Sequence, residues 1–300
     1  MRRPPALVLT ALVLVSTTLV ASGDGRAGAA GVITQVGSLP SGDQNFCDTL
    51  TAVQTSSAPG KSSYVMTRAG ILTTWRWAGS TGATGARARA VVFRPAGTGT
   101  WTAVARSASS TLRSSTTLAY PTRLKVRAGD VLGLTVELGA SSAVGCWYSA
   151  GPGDAFSFTF AVAPAVGASF TPAQGTVPNA RLAIAADLEP DADRDGYGDV
   201  TQDRCPTQAT AGAACDRTAP VTSITAKPRS GRDRTAVIKF ASNESRSTFR
   251  CSLDGAAYVA CTSPRGASVR PGRHVFRVRA TDRFGNVDRT PASAAWTVRA

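Results

Sequence analysis

An all-β fold is predicted by three observations. Short runs with alternating apolar and polar residues recur along the chain, the runs are rich in Val, Thr, Ile and aromatic residues, and Gly-rich turns separate them. The 300 residues include 29 Gly and 17 Pro, a composition that favours strands and turns over helices, and 43% are hydrophobic, enough for real cores. The length suits two β-sandwich domains with a connection between them.

Residues 1 to 29 stand apart from both. Arg2 and Arg3 form a basic start, Ala6 to Ala21 an apolar run, and Ala27-Gly28-Ala29 a small-residue cleavage site. This is the layout of a secretory signal peptide, with the mature chain starting near Ala30. The apolar run contains Thr10, Ser16, Thr17 and Thr18 and is short against the ~20 residues of a membrane span. No later stretch is apolar enough to cross a bilayer, so the expected location is extracellular or at a cell surface.

Residues 30 to 190 are expected to form the first sandwich. Gly31 to Ser62 reads as mostly polar and irregular. Strand signals begin at Tyr64 to Thr67 and continue in Ile71 to Trp77, where alternation puts Ile71, Thr73, Trp75 and Trp77 on one face. Ala86 to Arg94 sets Arg87 and Arg89 opposite Ala88 and Ala90. In Thr122 to Leu138, Leu124 and Val126 alternate with Arg123, Lys125 and Arg127; Ala128-Gly129-Asp130 turns, and Val131 to Leu138 runs back as a second strand. Cys146 to Tyr148, Phe156 to Val162 and Arg181 to Leu188 supply further strands. Trp75, Trp77, Trp101 and Trp147 are either core residues, the favoured reading, or a platform for stacking sugars. The strand, Ala-Gly-Asp turn, strand unit resembles those in jelly-roll domains of secreted proteins, carbohydrate-binding modules among them.

Residues 191 to 217 form the connection and hold the most informative motif. Asp191, Asp193, Asp195, Asp199 and Asp203 are crowded into one short run and repel each other unless a cation sits among them. Ca²⁺ takes six to eight oxygens, and a loop with acids at positions 1, 3, 5 and 9, a backbone carbonyl at 7 and a sharp turn at 6 can wrap it. Those positions are Asp191, Asp193, Asp195, Asp199, Tyr197 and Gly196, in that order. Position 12, a Glu in the helix-loop-helix pattern, is Gln202, and Asp203 follows one residue late. With no flanking amphipathic helix the pattern points to a structural calcium site rather than a sensor. The bland alternative is a solvated acidic linker. Asp-x-Asp-x-Asp-Gly-x-x-Asp, followed by Asp203-Arg204-Cys205-Pro206, resembles a single thrombospondin type 3 repeat, which implies a module where calcium and a cysteine stand in for a hydrophobic core. Arg204 departs from the Asn usual in that family. Cys205 to Cys215 encloses a small, polar stretch that reads as the tail of the connection.

Residues 218 to 300 are expected to form the second sandwich, with about seven strands. Ser247 to Gly255, Cys261 to Pro264, Gly272 to Asp282 and Gly285-Asn286 are similar to bacterial Ig-like domains. That resemblance implies a hairpin tipped by Asp254-Gly255 and stapled by Cys251 and Cys261, with Thr281 to Asn286 as the last turn. Members mostly space or present other domains and often occur in adhesion proteins.

Six cysteines fit an oxidising compartment and allow many pairings, of which proximity and domain membership favour Cys47 with Cys146, Cys205 with Cys215 and Cys251 with Cys261. Zinc is disfavoured because there is no Cys-x-x-Cys and one histidine. The net charge of +14 is concentrated from Asp216 to Ala300, where sixteen Lys or Arg face six Asp or Glu. Such a field suits anionic glycans or cell-wall polymers. The favoured reading is arginines scattered by composition, since there is neither a dense basic run nor a nucleic-acid-binding motif.

Catalysis is not expected. His274 lies in a strand without any nucleophile motif, and the acids outside the connection are few: Asp130, Glu137, Asp154, Asp187 and Glu189 in the first sandwich. The sequence therefore predicts a secreted calcium-binding protein acting in adhesion or in binding an extracellular ligand, a glycan in the first instance. The alternatives are a carbohydrate-active enzyme or its accessory module, and an inert envelope spacer.

Overall fold

The computed structural model describes residues 31–78, 83–113, 117–139 and 144–300. Residues 1 to 29, read above as a signal peptide, lie outside the described residues. Among the described residues the regular elements are all strands, so the all-β expectation holds, and they gather around two separate hydrophobic clusters.

The first cluster is filled from two main sheets. A four-stranded sheet runs Thr34–Ser38, Ile184–Glu189, Gly70–Trp77, Leu118–Val126. The larger sheet is centred on Arg87–Gly97, Val131–Glu137 and Leu50–Ser56. Leu72, Trp75, Trp77 and Leu188 from one sheet meet Val91, Phe93, Leu132 and Leu134 from the other in a single core. Trp75 and Trp77 are buried, Trp75 stacking on Tyr120 and Trp77 donating its indole N–H to Gly145 O at 2.9 Å. Both are core residues; Trp101 and Trp147 are half-buried against the same cluster.

Three sequence-based expectations are corrected. The stretch Gly31 to Ser62 is not irregular: it contains Thr34–Ser38, Asn45–Cys47 and Leu50–Ser56, the last with Leu50 to Gln54 all buried. Its small and β-branched residues fit the middle of a sheet covered on both faces, where polar side chains such as Thr51 and Gln54 find buried partners. The strands around Ala128-Gly129-Asp130 are not paired with each other. Leu118–Val126 joins Gly70–Trp77, whereas Val131–Glu137 joins Arg87–Gly97 and Leu50–Ser56, so the turn is a corner between sheets. Asp130 holds that corner, accepting from the Arg127 amide at 2.8 Å and from Arg94 at 2.8 and 2.9 Å. Finally, the strict alternation through Ile71 to Trp77 breaks at a bulge between Leu72 and Thr74. The extra residue shifts the period by one. Leu72 joins the cluster with Trp75 and Trp77, while Ile71 and Thr73, also buried, lie outside it, and Thr73 bonds elsewhere.

The second cluster joins a three-stranded sheet, Thr222–Ala226, Thr235–Ser242, Arg265–Ser268, to a four-stranded one, Val259–Cys261, Thr248–Leu253, Gly272–Thr281, Ala292–Val298. Alternation is clean in Thr235–Ser242, which turns Ala236, Ile238 and Phe240 inward. Burying Ile238, Phe240 and Phe276 contributes roughly 1.5 to 3 kcal/mol each. Asp254 and Gly255, both at positive φ (51° and 82°), make the tip of the hairpin between Thr248–Leu253 and Val259–Cys261.

Disulfides join Cys47 to Cys146, Cys205 to Cys215 and Cys251 to Cys261, the connectivity that proximity favours. Three bridges mark a protein of an oxidising, extracellular environment. Among the described residues no helix is long and apolar enough to cross a membrane.

Candidate metal centre

The acidic run leaves the first core directly from Ile184–Glu189. Gly196, at φ 91°, supplies the turn in its middle, a backbone state that side chains resist. Asp191, Asp193 and Asp195 bring carboxylate oxygens within 4.8 Å of one another. Each also shapes the loop: Asp193 Oδ1 accepts the Asp195 amide at 3.1 Å, Asp195 Oδ1 the Tyr197 amide at 2.9 Å, and Asp191 Oδ1 lies 3.4 Å from the Gly196 amide.

Two carboxylate oxygens in the run are left over. Asp193 Oδ2 and Asp203 Oδ2 are buried and without a hydrogen-bond partner. Asp203 is 8% exposed; its other oxygen accepts the Cys205 amide at 2.8 Å. Burial first, and then the negative charge of neighbouring acids, holds Asp193, Asp199 and Asp203 above the usual carboxylate range. Asp193 is repelled by Asp195, Asp203 and Asp191, and Asp203 by Asp195 and Asp191, which makes Asp203 part of the same electrostatic cluster. An orphaned buried acceptor costs about 1 to 3 kcal/mol, more when charged, unless something cationic meets it. An all-oxygen donor set suits a hard divalent cation.

The remaining predicted ligands are placed differently. Both oxygens of Asp199 face the Ala192 amide, at 3.1 and 3.2 Å, so this carboxylate closes the loop on itself and is not one of the three that converge. The Tyr197 ring lies under the Arg123 guanidinium, 4.1 Å from its centre, and among the described residues its carbonyl accepts no hydrogen bond. Gln202, where a bidentate Glu would stand in a helix-loop-helix site, instead donates its amide to Thr122 O at 2.8 Å and ties the loop to the first sandwich.

The residue that sequence reasoning missed is Glu189. It is fully buried and its carboxylate accepts from the Thr73 hydroxyl (2.9 Å), the Thr201 hydroxyl (2.6 Å), and the Val200 and Thr201 amides (2.9 Å each). The bulge at Thr73 is what aims that hydroxyl at Glu189. Gly198 is required by the same packing, because a Cβ there would come within 2.5 Å of Glu189 Oε2. An acid at the end of an apolar strand, followed by Pro190, was the available signal.

The stretch closed by the Cys205 to Cys215 bridge, the tail of the connection, is tied to the acidic run. It folds back so that the Gly212 amide donates to Asp195 Oδ2 at 3.0 Å. At its far end, Asn286 of the second sandwich donates to Asp216 O at 3.0 Å. Asp216, Glu244 and Asp282 also gather oxygens within 4.8 Å. There Asp282 is already satisfied by the Phe284 and Asn286 amides and the Asn286 side chain, and none of the three leaves a buried oxygen without a partner.

The candidate acids of the first sandwich outside the connection each have a partner. Asp130 pairs with Arg94, Glu137 with Arg89 at 3.4 Å, Asp154 with Arg181 at 3.1 Å and Asp187 with Arg76, while Glu189 is the anchor just described. His274 is bonded at both nitrogens, Nδ1 to Asp254 Oδ2 and Nε2 to Arg270 O, each at 2.7 Å.

No family model matches the chain, and no curated protein matches it. Among solved structures, a β-1,2-glucanase from Parabacteroides distasonis aligns at 13% identity and a TM-score of 0.20, over 90% of this chain and 33% of the other. This chain thus spans about a third of that protein's length, and a likeness of this degree carries no argument about activity.

Proposed function

We propose that residues 191 to 217 are a calcium-binding joint, similar to a thrombospondin type 3 repeat, that connects a jelly-roll-like domain to an Ig-like domain in a secreted adhesion or ligand-binding protein. The observation that carries this reading is the pair of buried, unpartnered oxygens on Asp193 and Asp203 beside the converging carboxylates of Asp191, Asp193 and Asp195. With a divalent cation among them the repulsion becomes attraction, and the loop gains the ordering that its lack of apolar side chains denies it. Asp191, Asp193, Asp195 and Asp203 would hold the ion, with the Tyr197 carbonyl as a neutral donor. Calcium suits the site better than magnesium because irregular sets of six to eight oxygens are its habit.

The ion's role is mechanical. One side of the joint is fastened to the first sandwich through Glu189, Gln202 and the Arg123 to Tyr197 contact, and its end meets the second through Asn286. Loading would stiffen the span between these attachments. Extracellular calcium modules bind at about 10⁻⁴ to 10⁻³ M, so millimolar calcium would keep it filled. Calorimetric titration with calcium and with magnesium, combined with X-ray scattering in calcium and in chelator, tests the proposal. A calcium-specific heat and a narrower scattering envelope are expected; no heat together with an unchanged envelope would reject it.

A further inference from the structure

The outer face of the four-stranded sheet in the second sandwich carries an unmatched row of arginines. Thr248–Leu253 and Gly272–Thr281 are paired so that Arg250 stands directly across from Arg279, and Ser252 across from Arg277. Two residues before Val275, on the same face, Arg273 lies opposite Thr297. Arg250, Arg273 and Arg277 are exposed and Arg279 is half-exposed. Directly opposed side chains start about 5 Å apart, and like charges so placed destabilise a sheet.

Most sheet arginines of the first sandwich are matched: Arg76, Arg89, Arg94 and Arg181 each meet a carboxylate. Arg123 of that sandwich is also exposed without an ion pair, but it stands alone and lies over the Tyr197 ring. On the second sandwich, the side chains of Arg250, Arg273, Arg277 and Arg279 make no hydrogen bond or ion pair with any described residue; that of Arg279 only lies over the Tyr258 ring, 4.5 Å from its centre. The neighbouring strand presents Ser293, Ala295 and Thr297 to this face. These side chains are small, and none supplies a counter-charge.

We infer that this arginine-lined sheet face is a docking surface for an anionic polysaccharide, one bearing carboxylate or sulfate groups at regular intervals. Guanidinium forks match planar or tetrahedral oxyanions, and a flat face with charges spread along neighbouring strands suits an extended ligand with repeating anions rather than a small molecule that needs a pocket. Single-stranded nucleic acid is disfavoured because it binds by stacking on exposed rings, and Tyr258, the aromatic beside these arginines, is already covered by Arg279. Duplex DNA is read by an element that enters a groove, and the face of a sheet offers none. The surface is independent of the joint and of its calcium.

The test is calorimetric binding of polygalacturonate, with neutral dextran and a duplex DNA oligonucleotide as comparators, all in chelator and at two salt concentrations. The protein is expected to bind polygalacturonate with an affinity that falls as salt rises, and to ignore dextran. Arg250→Glu should weaken binding by about tenfold or more, while its unfolding midpoint stays level or rises because the new acid faces Arg279. Arg277→Gln should weaken binding several-fold, and Lys239→Gln, which removes an exposed cation from the other sheet, should leave it unchanged. Absence of polygalacturonate binding, indifference to Arg250→Glu, an equal loss in Lys239→Gln, or DNA bound as tightly as polygalacturonate would each overturn the inference. Because the assay contains chelator, its outcome is separate from that of the calcium proposal.

Discussion

Glu189 and Thr201 are joined twice. The Thr201 hydroxyl donates to Oε1 at 2.6 Å and its amide donates to Oε2 at 2.9 Å, so the last strand of the first sandwich grips the acidic loop from inside the protein. Since Thr73 and the Val200 amide share the same carboxylate, Glu189→Ala strips four donors of their acceptor. A loss on the order of 3 kcal/mol or more is expected in urea unfolding. Glu189→Gln keeps the shape and two acceptor lone pairs but offers an NH₂ where donors point, and should recover only part of it. In both variants amide hydrogen exchange should rise first at Val200 and Thr201.

Calcium and the buried acids should trade against each other. In chelator, Asp203→Asn removes a buried charge that Asp195 and Asp191 repel, so the variant should be at least as stable as the parent. In excess calcium the order should reverse. A ligand at 100 times its dissociation constant stabilises by about 2.7 kcal/mol, and the variant should forfeit most of that. Thermal unfolding of parent and variant in the two conditions reads the crossing directly; parallel shifts would remove Asp203 from the site.

How much of this could be read in the chain depends on whether the signal is local. Gly196 in the middle of the acids, the Asp254-Gly255 tip and the short-range cysteine pairs are local, and each stands where residue type and spacing put it. Strand partners are not local. The stretch around Asp130 has the turn chemistry of a hairpin, and only the unbroken burial of Val131 to Val136 shows that its second strand lies inside a sheet covered on both faces. The apolar run Val-Leu-Gly-Leu-Thr-Val carries that signal, but it follows an alternating run and a turn whose local chemistry is that of a hairpin. Likewise a period-two reading cannot foresee the bulge at Thr73, and with it the contact that fixes Glu189. The acids were legible as a cluster; which of them converge and which cap the loop was decided by backbone amides at Ala192, Cys205 and Gly212.

A buried ion pair ties the strand Ala180–Leu182 to the loop that carries Asp154. Arg181 is 3% exposed and reaches Asp154 Oδ1 at 3.1 Å, Ser38 Oγ at 3.0 Å and Ser62 O. Asp154 also receives the Ala58 amide at 3.1 Å. Arg181→Met leaves that carboxylate buried without its cation and should cost about 3 to 5 kcal/mol. Adding Asp154→Asn in the same chain should restore part of the loss. A double-mutant cycle in urea measures the coupling, and strictly additive losses would mean that the two charges act separately.

The last prediction concerns pH and the hairpin at Asp254. The His274 ring faces two acceptors, the Asp254 carboxylate and the Arg270 carbonyl, and only the imidazolium has an N–H for each. Those two bonds, Asp254 first, raise the His274 pKa above its ordinary 6.5. For Asp254 burial pushes upward, but the bonds from His274 and the Val275 amide prevail and its pKa falls below the ordinary 3.8. A raised histidine contributes its full stabilisation below the unfolded value of 6.5 and loses it as pH climbs through the folded value. A depressed carboxylate contributes above 3.8 and loses it as pH drops. The pair is therefore most stabilising between these limits. The difference in unfolding free energy between the parent and His274→Gln should be largest between the ordinary values of 3.8 and 6.5 and shrink as pH climbs beyond 6.5 and the parent loses its proton. A difference that is flat across this range would mean that the imidazole is held neutral, with one of its two acceptors left without a hydrogen.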